Sequence, residues 1–162
     1  MIRQAATSDA GDVAALWNGM IRETAFTFTD AELTVSAVTE LITRRQNAFL
    51  IAETRGRFSG FMTFGAFRSG PGYRATAEHS ILVTPQAAGT GLAGALLQAG
   101  EDAARTAGIH VMIAGISAVN PRAIRFHTRE GYVEAGRLEE VGLKNGAWLD
   151  LVLMQKILAG GR

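Results

Sequence analysis

The stretch from Ala77 to Arg105, AEHSILVTPQAAGTGLAGALLQAGEDAAR, limits what this chain can fold into more than any other part of it. Glu78 to Val83 alternates polar and apolar before running into Ile81, Leu82 and Val83, a strand pattern that Thr84-Pro85 stops. From Leu92 onward Ala95, Leu96, Ala99 and Ala103 follow at spacings of three and four, the period of an amphipathic helix. Gly89 and Gly91 lie between the two patterns and Gly94 sits just inside the helix. Strand, glycine-rich turn and helix in that order commit the chain to an α/β fold. The first turn of a helix has N–H groups without intrahelical partners and carries partial positive charge. Glycines remove the Cβ atoms that would hold an anion away, so such a turn can cradle a pyrophosphate without Lys or Arg. On glycine spacing alone a plain tight connection is the better reading, because short glycine motifs recur by chance. The spacing also excludes two better-known phosphate loops: there is no Gly-Lys-Ser/Thr of a triphosphatase and no G-x-G-x-x-G near the start of the chain.

The remaining elements follow in order. Ile2 to Ala5 is a short strand, and Thr7, Ser8 and Asp9 supply helix-capping chemistry for a helix whose apolar face is Val13, Leu16, Trp17 and Met20. Thr24 to Thr29 breaks the period, and a less apolar helix runs from about Thr34 to Arg45. Of the two loop phenylalanines, Phe28 is the candidate for a substrate-pocket wall. Ala48 to Thr54 and Phe58 to Ala66 read as an antiparallel hairpin about Arg55-Gly56-Arg57. Phe67 to Arg74, rich in Gly and Pro, is a loop that brings Arg68, Tyr73 and Arg74 toward Glu78. Gly108 ends the central helix, and Ile109 to Ile116 is a near-continuous apolar strand. Asn120-Pro121 opens a helix that Gly131 closes, with Tyr132 to Val141 and Ala147 to Gln155 as a final strand pair. Residues 1–158 form one domain on this reading, and 159–162 a loose tail.

Composition removes whole classes of function. At 162 residues with 48% hydrophobic content the chain is a single domain with a real core. Sixteen basic against fifteen acidic residues, with no basic run, leave no electrostatic footprint for nucleic acid. The absence of cysteine rules out disulfides, zinc–thiolate sites and thiol nucleophiles. No apolar run approaches the roughly 20 residues of a membrane span, and the start lacks a signal-peptide core, so the expected setting is the cytoplasm. His79 and His110 are expected to be structural: alternation turns His79 away from Glu78, and His110 falls in a buried strand. No His and carboxylate pair has ligand spacing, so no metal is expected.

Pro85 to Ala93 followed by Ala95-Leu96-Leu97 resembles the acetyl-CoA loop of the GCN5-related N-acetyltransferases (GNAT), whose core is Gln/Arg-x-x-Gly-x-Gly/Ala. Gly91 and Ala93 match, whereas Ala88 stands at the Gln/Arg position, which leaves backbone N–H groups to hold the phosphates and implies weaker cofactor affinity. Asn120 to His127 followed by Gly131-Tyr132 is similar to the family's second motif. Glu78-His79-Ser80, Arg125-Phe126-His127 and the G-x-K-x-G-x-W-x-D string from Gly142 to Asp150 resemble the phosphinothricin and methionine sulfoximine acetyltransferase branch. The resemblance covers most of the chain and implies a mixed, mostly antiparallel sheet of about seven strands with helices on both faces. It further implies acetyl-CoA as co-substrate, a small α-amino acid as acceptor, and a homodimer in which Lys144 and Trp148 reach the neighbouring site. Pantetheine would lie between Ile81 to Val83 and Gly115 to Ser117, with Gly89, Thr90, Gly91, Leu92, Ala93 and Gly94 on the pyrophosphate. Asn120 would serve the pantetheine arm, although its reading as a helix N-cap is equally good.

The chemistry asks for particular groups. An amine attacks a thioester only as the free base, so a proton acceptor is required, and Glu78 at the head of the central strand is the candidate. Its plain alternatives are a surface carboxylate or an ion-pair partner for Arg74, and the family resemblance favours the base. His127 stands where many relatives carry a tyrosine acid, which assigns it to the leaving sulfur or to the acceptor side. Backbone N–H of Leu82 or Val83 would polarise the thioester carbonyl. Arg74, with Tyr73 and Arg68 close by, is the candidate clamp for an acceptor carboxylate, since arginine binds carboxylates in two-pronged fashion. Two other readings stay open: the same fold acting on a protein, aminoglycoside or polyamine amine, or a non-catalytic acyl-CoA sensor, for which Ala88 is the one feature in favour.

Overall fold

The computed structural model describes residues 1–158, so the tail at 159–162 lies outside the described residues. Seven strands form one sheet in the order β1-β2-β3-β4-β5-β7-β6. They are β1 (Ile2–Gln4), β2 (Phe49–Thr54), β3 (Arg57–Ala66), β4 (Thr76–Val83), β5 (Val111–Ser117), β6 (Val133–Lys144) and β7 (Ala147–Ile157). Four helices accompany them: α1 (Ala10–Glu23), α2 (Val35–Arg45), α3 (Leu92–Thr106) and α4 (Pro121–Arg129). Only β4 and β5 pair in parallel, which is the consequence of the α3 crossover between them. The remaining neighbours pair antiparallel, so the expected mixed, mostly antiparallel sheet is what forms.

Strand alternation divides the core in two. Ala52, Met62, Ala77, Met112 and Ala114 face Leu96 and Leu97 of α3 on one side. Phe49, Ile51 and Phe61 face Val13 of α1 and Val38 of α2 on the other. Buried side chains of this size stabilise by about 1.5–3 kcal/mol each, so both helix layers are tied to the sheet by their apolar stripes. Local chemistry sets the ends. Thr34 caps α2 by accepting from Ala37 N–H, and Asn120 caps α4 by accepting from Ala123 N–H, with Pro121 next. The β2–β3 and β6–β7 turns use Arg55-Gly56 and Asn145-Gly146, all at positive φ, as two-residue hairpin turns require.

Two boundaries differ from the sequence expectation. His110 is exposed and precedes β5 rather than lying buried within it. Its N–H and that of Val111 both reach the carbonyl of Ala75, and this shared acceptor fixes where β5 begins. The final hairpin is longer than the expected segments, because a bulge between Leu138 and Gly142 lets β6 bend and continue to Lys144.

Candidate active site

The sheet opens at its centre. β4 and β5 are in register only where Thr76 to Glu78 meet Val111 to Ile113, and both strands then run on without pairing each other. The facing edges of Ile81 to Val83 and Gly115 to Ser117 therefore carry backbone groups with no strand partner across the gap. Thr84 N–H bonds Ser59 O at 2.9 Å on the β3 side. Since N–H directions alternate along a strand, Leu82 also points toward β3, and Ile81 and Val83 present their N–H groups to the gap. Of the two carbonyl-polarising candidates, Val83 is the one with a donor facing the opening.

Two cavities meet at this gap. The larger, about 740 Å³, runs from the turn at Gly89, Gly91, Ala93 and Gly94 along α4 to Ile81 and Val83. The smaller, about 490 Å³, is walled by Trp17, Met20, Ile21, Phe26 and Leu33 and reaches His79, Gly115 and Ile116. They share Met20, Phe26, Ile81, Leu82, Asn120, Ala123 and His127, so a chain threaded through one ends in the other. The turn suits a phosphate. Gly89 and Gly91 have φ of +77° and +85°, and nothing stands within 4 Å of where their Cβ atoms would be. That open space borders the first turn of α3, whose N–H groups lack intrahelical acceptors. Thr90, by contrast, spends its hydroxyl on Ala87 O at 2.7 Å and holds the turn itself, while Leu92 opens α3. Asn120 caps α4 through Oδ1, 3.2 Å from Ala123 N, which leaves its amide N–H₂ for the cavities it borders. The cap and the ligand roles use different ends of one side chain.

Glu78 and His127 lie on opposite faces of the sheet beside the gap. A Glu78 carboxylate oxygen stands 2.8 Å from where a Cβ on Gly115 would be, so the glycine makes room for it; Gly115 borders the smaller cavity, and Glu78 itself lines neither. Glu78 is open to solvent on one side, yet partial burial of its carboxyl pushes its pKa above the ordinary glutamate value. His127 is buried, and its Nδ1 lies 2.8 Å from Ala123 O, which can only accept, so the Nδ1 proton is donated there. Its Nε2 lies 3.0 Å from Nε2 of His79. With His127 Nε2 left as the acceptor, the proton between the rings belongs to His79, and the remaining nitrogen of His79, Nδ1, has no partner. Burial, reinforced by His127, pushes His79 down to about 3, and burial lowers His127 as well, against the raising effects of Ala123 and Glu101. Both rings are neutral. In this arrangement His127 has no free proton for a leaving sulfur, and of its two expected places, the sulfur or the acceptor side, its position on the wall shared by both cavities favours the second. His79 did turn away from Glu78, but toward His127 and the cavity wall. Local alternation gave the turn away from Glu78 but not the contact with α4.

None of the five substrate-side candidates, Phe28, Tyr73, Arg74, Lys144 and Trp148, lines either cavity of its own subunit. Phe28 packs on Gly142, where an added Cβ would come 2.5 Å from its ring, and Phe26 is the aromatic that borders both cavities. Lys144 is buried, and its ammonium donates to the carbonyls of Ile21, Thr24 and Thr27 at 2.7, 2.8 and 3.0 Å. All three protons are used inside the subunit, so it holds the loop that walls the smaller cavity rather than a substrate. Arg74 is exposed and donates to Pro71 O at 2.9 Å, and Arg68 lies over the rings of Phe67 and Tyr73. Neither Tyr73 nor Arg74 borders either cavity. Trp148, 62% exposed at the start of β7, is likewise outside both. Among the described residues no cluster of three or more His, Cys, Asp or Glu converges as a metal site, and no helix is long and apolar enough to cross a membrane.

Comparison with known proteins adds what geometry leaves open. The chain is 36% identical over 157 residues to L-amino acid N-acyltransferase MnaT of Escherichia coli (strain K12), spanning 95% of this chain and 91% of that one. It is also 36% identical over 157 residues to L-methionine sulfoximine/L-methionine sulfone acetyltransferase of Salmonella typhimurium, spanning 95% and 92%. The solved structure of yncA from Salmonella typhimurium with its cofactor acetyl-CoA superposes with a TM-score of 0.93 at 34% identity, covering all of this chain and 95% of that one. Residues 14–132 match the acetyltransferase (GNAT) family, and with the open strand pair, the glycine turn and these relatives the chain belongs to that family and is an acetyl-CoA-dependent acetyltransferase.

Proposed function

We propose that the protein N-acetylates a small amino-acid-like amine of the methionine sulfoximine, methionine sulfone or phosphinothricin type. The observation that carries this is the meeting of the two cavities at the β4–β5 gap, with the Glu78 carboxylate packed against Gly115, a residue of the smaller cavity's wall. Relatives that span nearly the whole chain are named for acylation of L-amino acids and acetylation of methionine sulfoximine and sulfone, which supplies the substrate class.

Acetyl-CoA supplies an activated acetyl thioester when bound. The chain's own residues do the rest. Backbone N–H groups of Gly91, Ala93 and Gly94 meet the pyrophosphate, and those of Ile81 and Val83, with the Asn120 amide, line the path to the gap. The transfer frees one proton from the amine, and Glu78 takes it directly or through a water; its raised pKa makes it a better base than an exposed glutamate. The neutral His79–His127 pair forms an uncharged wall between the cavities, and Trp17, Met20 and Phe26 take the apolar part of the acceptor. The smaller cavity has no Arg or Lys in its wall, so the cation for an acceptor carboxylate comes from elsewhere. The Arg68–Arg74 loop and a second subunit are the two sources. Val133, Leu138, Val141, Leu143 and Trp148 are exposed apolar residues on β6 and β7, and they are the surface of a homodimer in this reading. The setting is the cytoplasm.

The test is thiol release from acetyl-CoA against methionine sulfoximine, methionine sulfone, phosphinothricin, spermidine, an aminoglycoside and a lysine peptide. Turnover confined to the first three is expected. Turnover only on the others would discard the acceptor assignment, and CoA binding without turnover on any amine would make the protein a sensor.

A further inference from the structure

The glycine turn has an electrostatic deficit. Ala88 gives it no side-chain partner for a phosphate, and there is no Lys or Arg anywhere from Ala75 to Ala104. CoA carries a pyrophosphate and a 3′-phosphate, so a cavity that holds it needs positive charge beyond the partial charge of one helix end. The charged side chains that border the larger cavity are Glu23, Glu130, Arg122 and Arg129, with His127 neutral. Without the two arginines its wall would be purely acidic.

Both arginines belong to α4. Seven residues apart, they lie on one face of the helix about 10 Å from each other along its axis, with Phe126 between them on the same cavity wall. The end of α4 reaches the turn: a Glu130 carboxylate oxygen is 3.0 Å from where a Cβ on Gly94 would be. Arg122 and Arg129 are exposed, and neither pairs with a carboxylate among the described residues. A guanidinium free of internal partners beside an anion cradle costs nothing in broken ion pairs when it turns to a phosphate.

We propose that Arg122 and Arg129 bind the phosphate groups of CoA, supplying from α4 the charge that the loop lacks at Ala88. The helix thereby serves the cofactor with its side chains as well as through its Asn120 cap. This goes beyond the acceptor reading and is tested without an acceptor, so the failure of either leaves the other standing.

Calorimetric titration with CoA and with dephospho-CoA decides it. Arg122→Ala and Arg129→Ala should each weaken CoA binding about five- to tenfold, the double variant further, and the penalty should shrink as salt is raised. A penalty that persists with dephospho-CoA assigns that arginine to the pyrophosphate, and one that vanishes assigns it to the 3′-phosphate; both support the proposal. Ala88→Arg in the Arg129→Ala background should recover part of the loss, because it restores a cation on the other side of the same phosphates. Arg125→Ala, exposed on α4 and bordering neither cavity, should bind CoA as the parent does. A double variant that binds CoA within twofold of the parent would overturn the assignment, as would an equal loss in Arg125→Ala.

Discussion

At the scale of single residues, the paired histidines carry the least obvious chemistry. His79 and His127 share one proton at 3.0 Å inside the protein, and each is held below its ordinary pKa chiefly by burial. An unfolded chain protonates both near pH 6.5, whereas the folded pair resists, so the unfolded state binds more protons as pH falls through that value. Stability therefore declines on acidification from about pH 6.5 toward 3, at a slope of up to about 1.4 kcal/mol per pH unit per histidine. Chemical denaturation of the parent and of His79→Leu between pH 7 and 4.5 checks this. The variant should show a visibly shallower slope, and equal slopes would mean that His79 is not held neutral by the fold. Tyr132 lies edge-on to both rings, with centroid separations of 5.6 and 5.1 Å, and completes the apolar enclosure that keeps them uncharged.

At the scale of elements, β6 and α1 are tied by one ammonium. Lys144 crosses 123 residues of sequence to reach Ile21 O and also holds Thr24 O and Thr27 O, the end of α1 and the start of the cavity-walling loop. Lys144→Met leaves three carbonyls without a donor, and a loss of about 2–4 kcal/mol in unfolding free energy is expected. Acceptor KM should rise with it while the calorimetric affinity for CoA stays put; a raised KM for neither substrate would show that the loop is held by other means. The same contact marks the limit of what the sequence can say. The strand–turn–helix around Gly89 and Gly91, the Asn120-Pro121 helix start and the Arg55-Gly56 hairpin turn were legible because each is a local pattern whose physics is complete within a few residues. The fate of Lys144, the exchange of Phe28 for Phe26 at the pocket wall, and the His79–His127 contact were not. Each depends on the separation of segments distant in the chain, which no local periodicity encodes. Arg74 shows the same limit: closeness in sequence to β4 does not bring its guanidinium to either cavity, and it donates instead to Pro71 O within its own loop.

At the scale of the whole molecule, function depends on an incomplete sheet. β4 and β5 start paired and then part, and the opening joins the cavity beside the glycine turn to the one walled by Trp17, Met20 and Phe26. The α3 crossover makes both features together, since it sets the two strands parallel and presents its own N-terminus at the mouth of the larger cavity. The central claim of the proposed function is that Glu78, packed against Gly115 beside the smaller cavity, receives the amine's proton. The most direct test is Glu78→Gln, with turnover on methionine sulfoximine followed across pH and CoA affinity measured by calorimetry. In the parent, rate should fall on acidification through an acid limb above the ordinary glutamate value, because a raised pKa leaves the carboxyl protonated and unable to accept. In the variant, turnover should drop about a hundredfold or more and that limb should disappear, with CoA affinity unchanged. Undiminished turnover with the acid limb intact would contradict the account and move the proton to another acceptor.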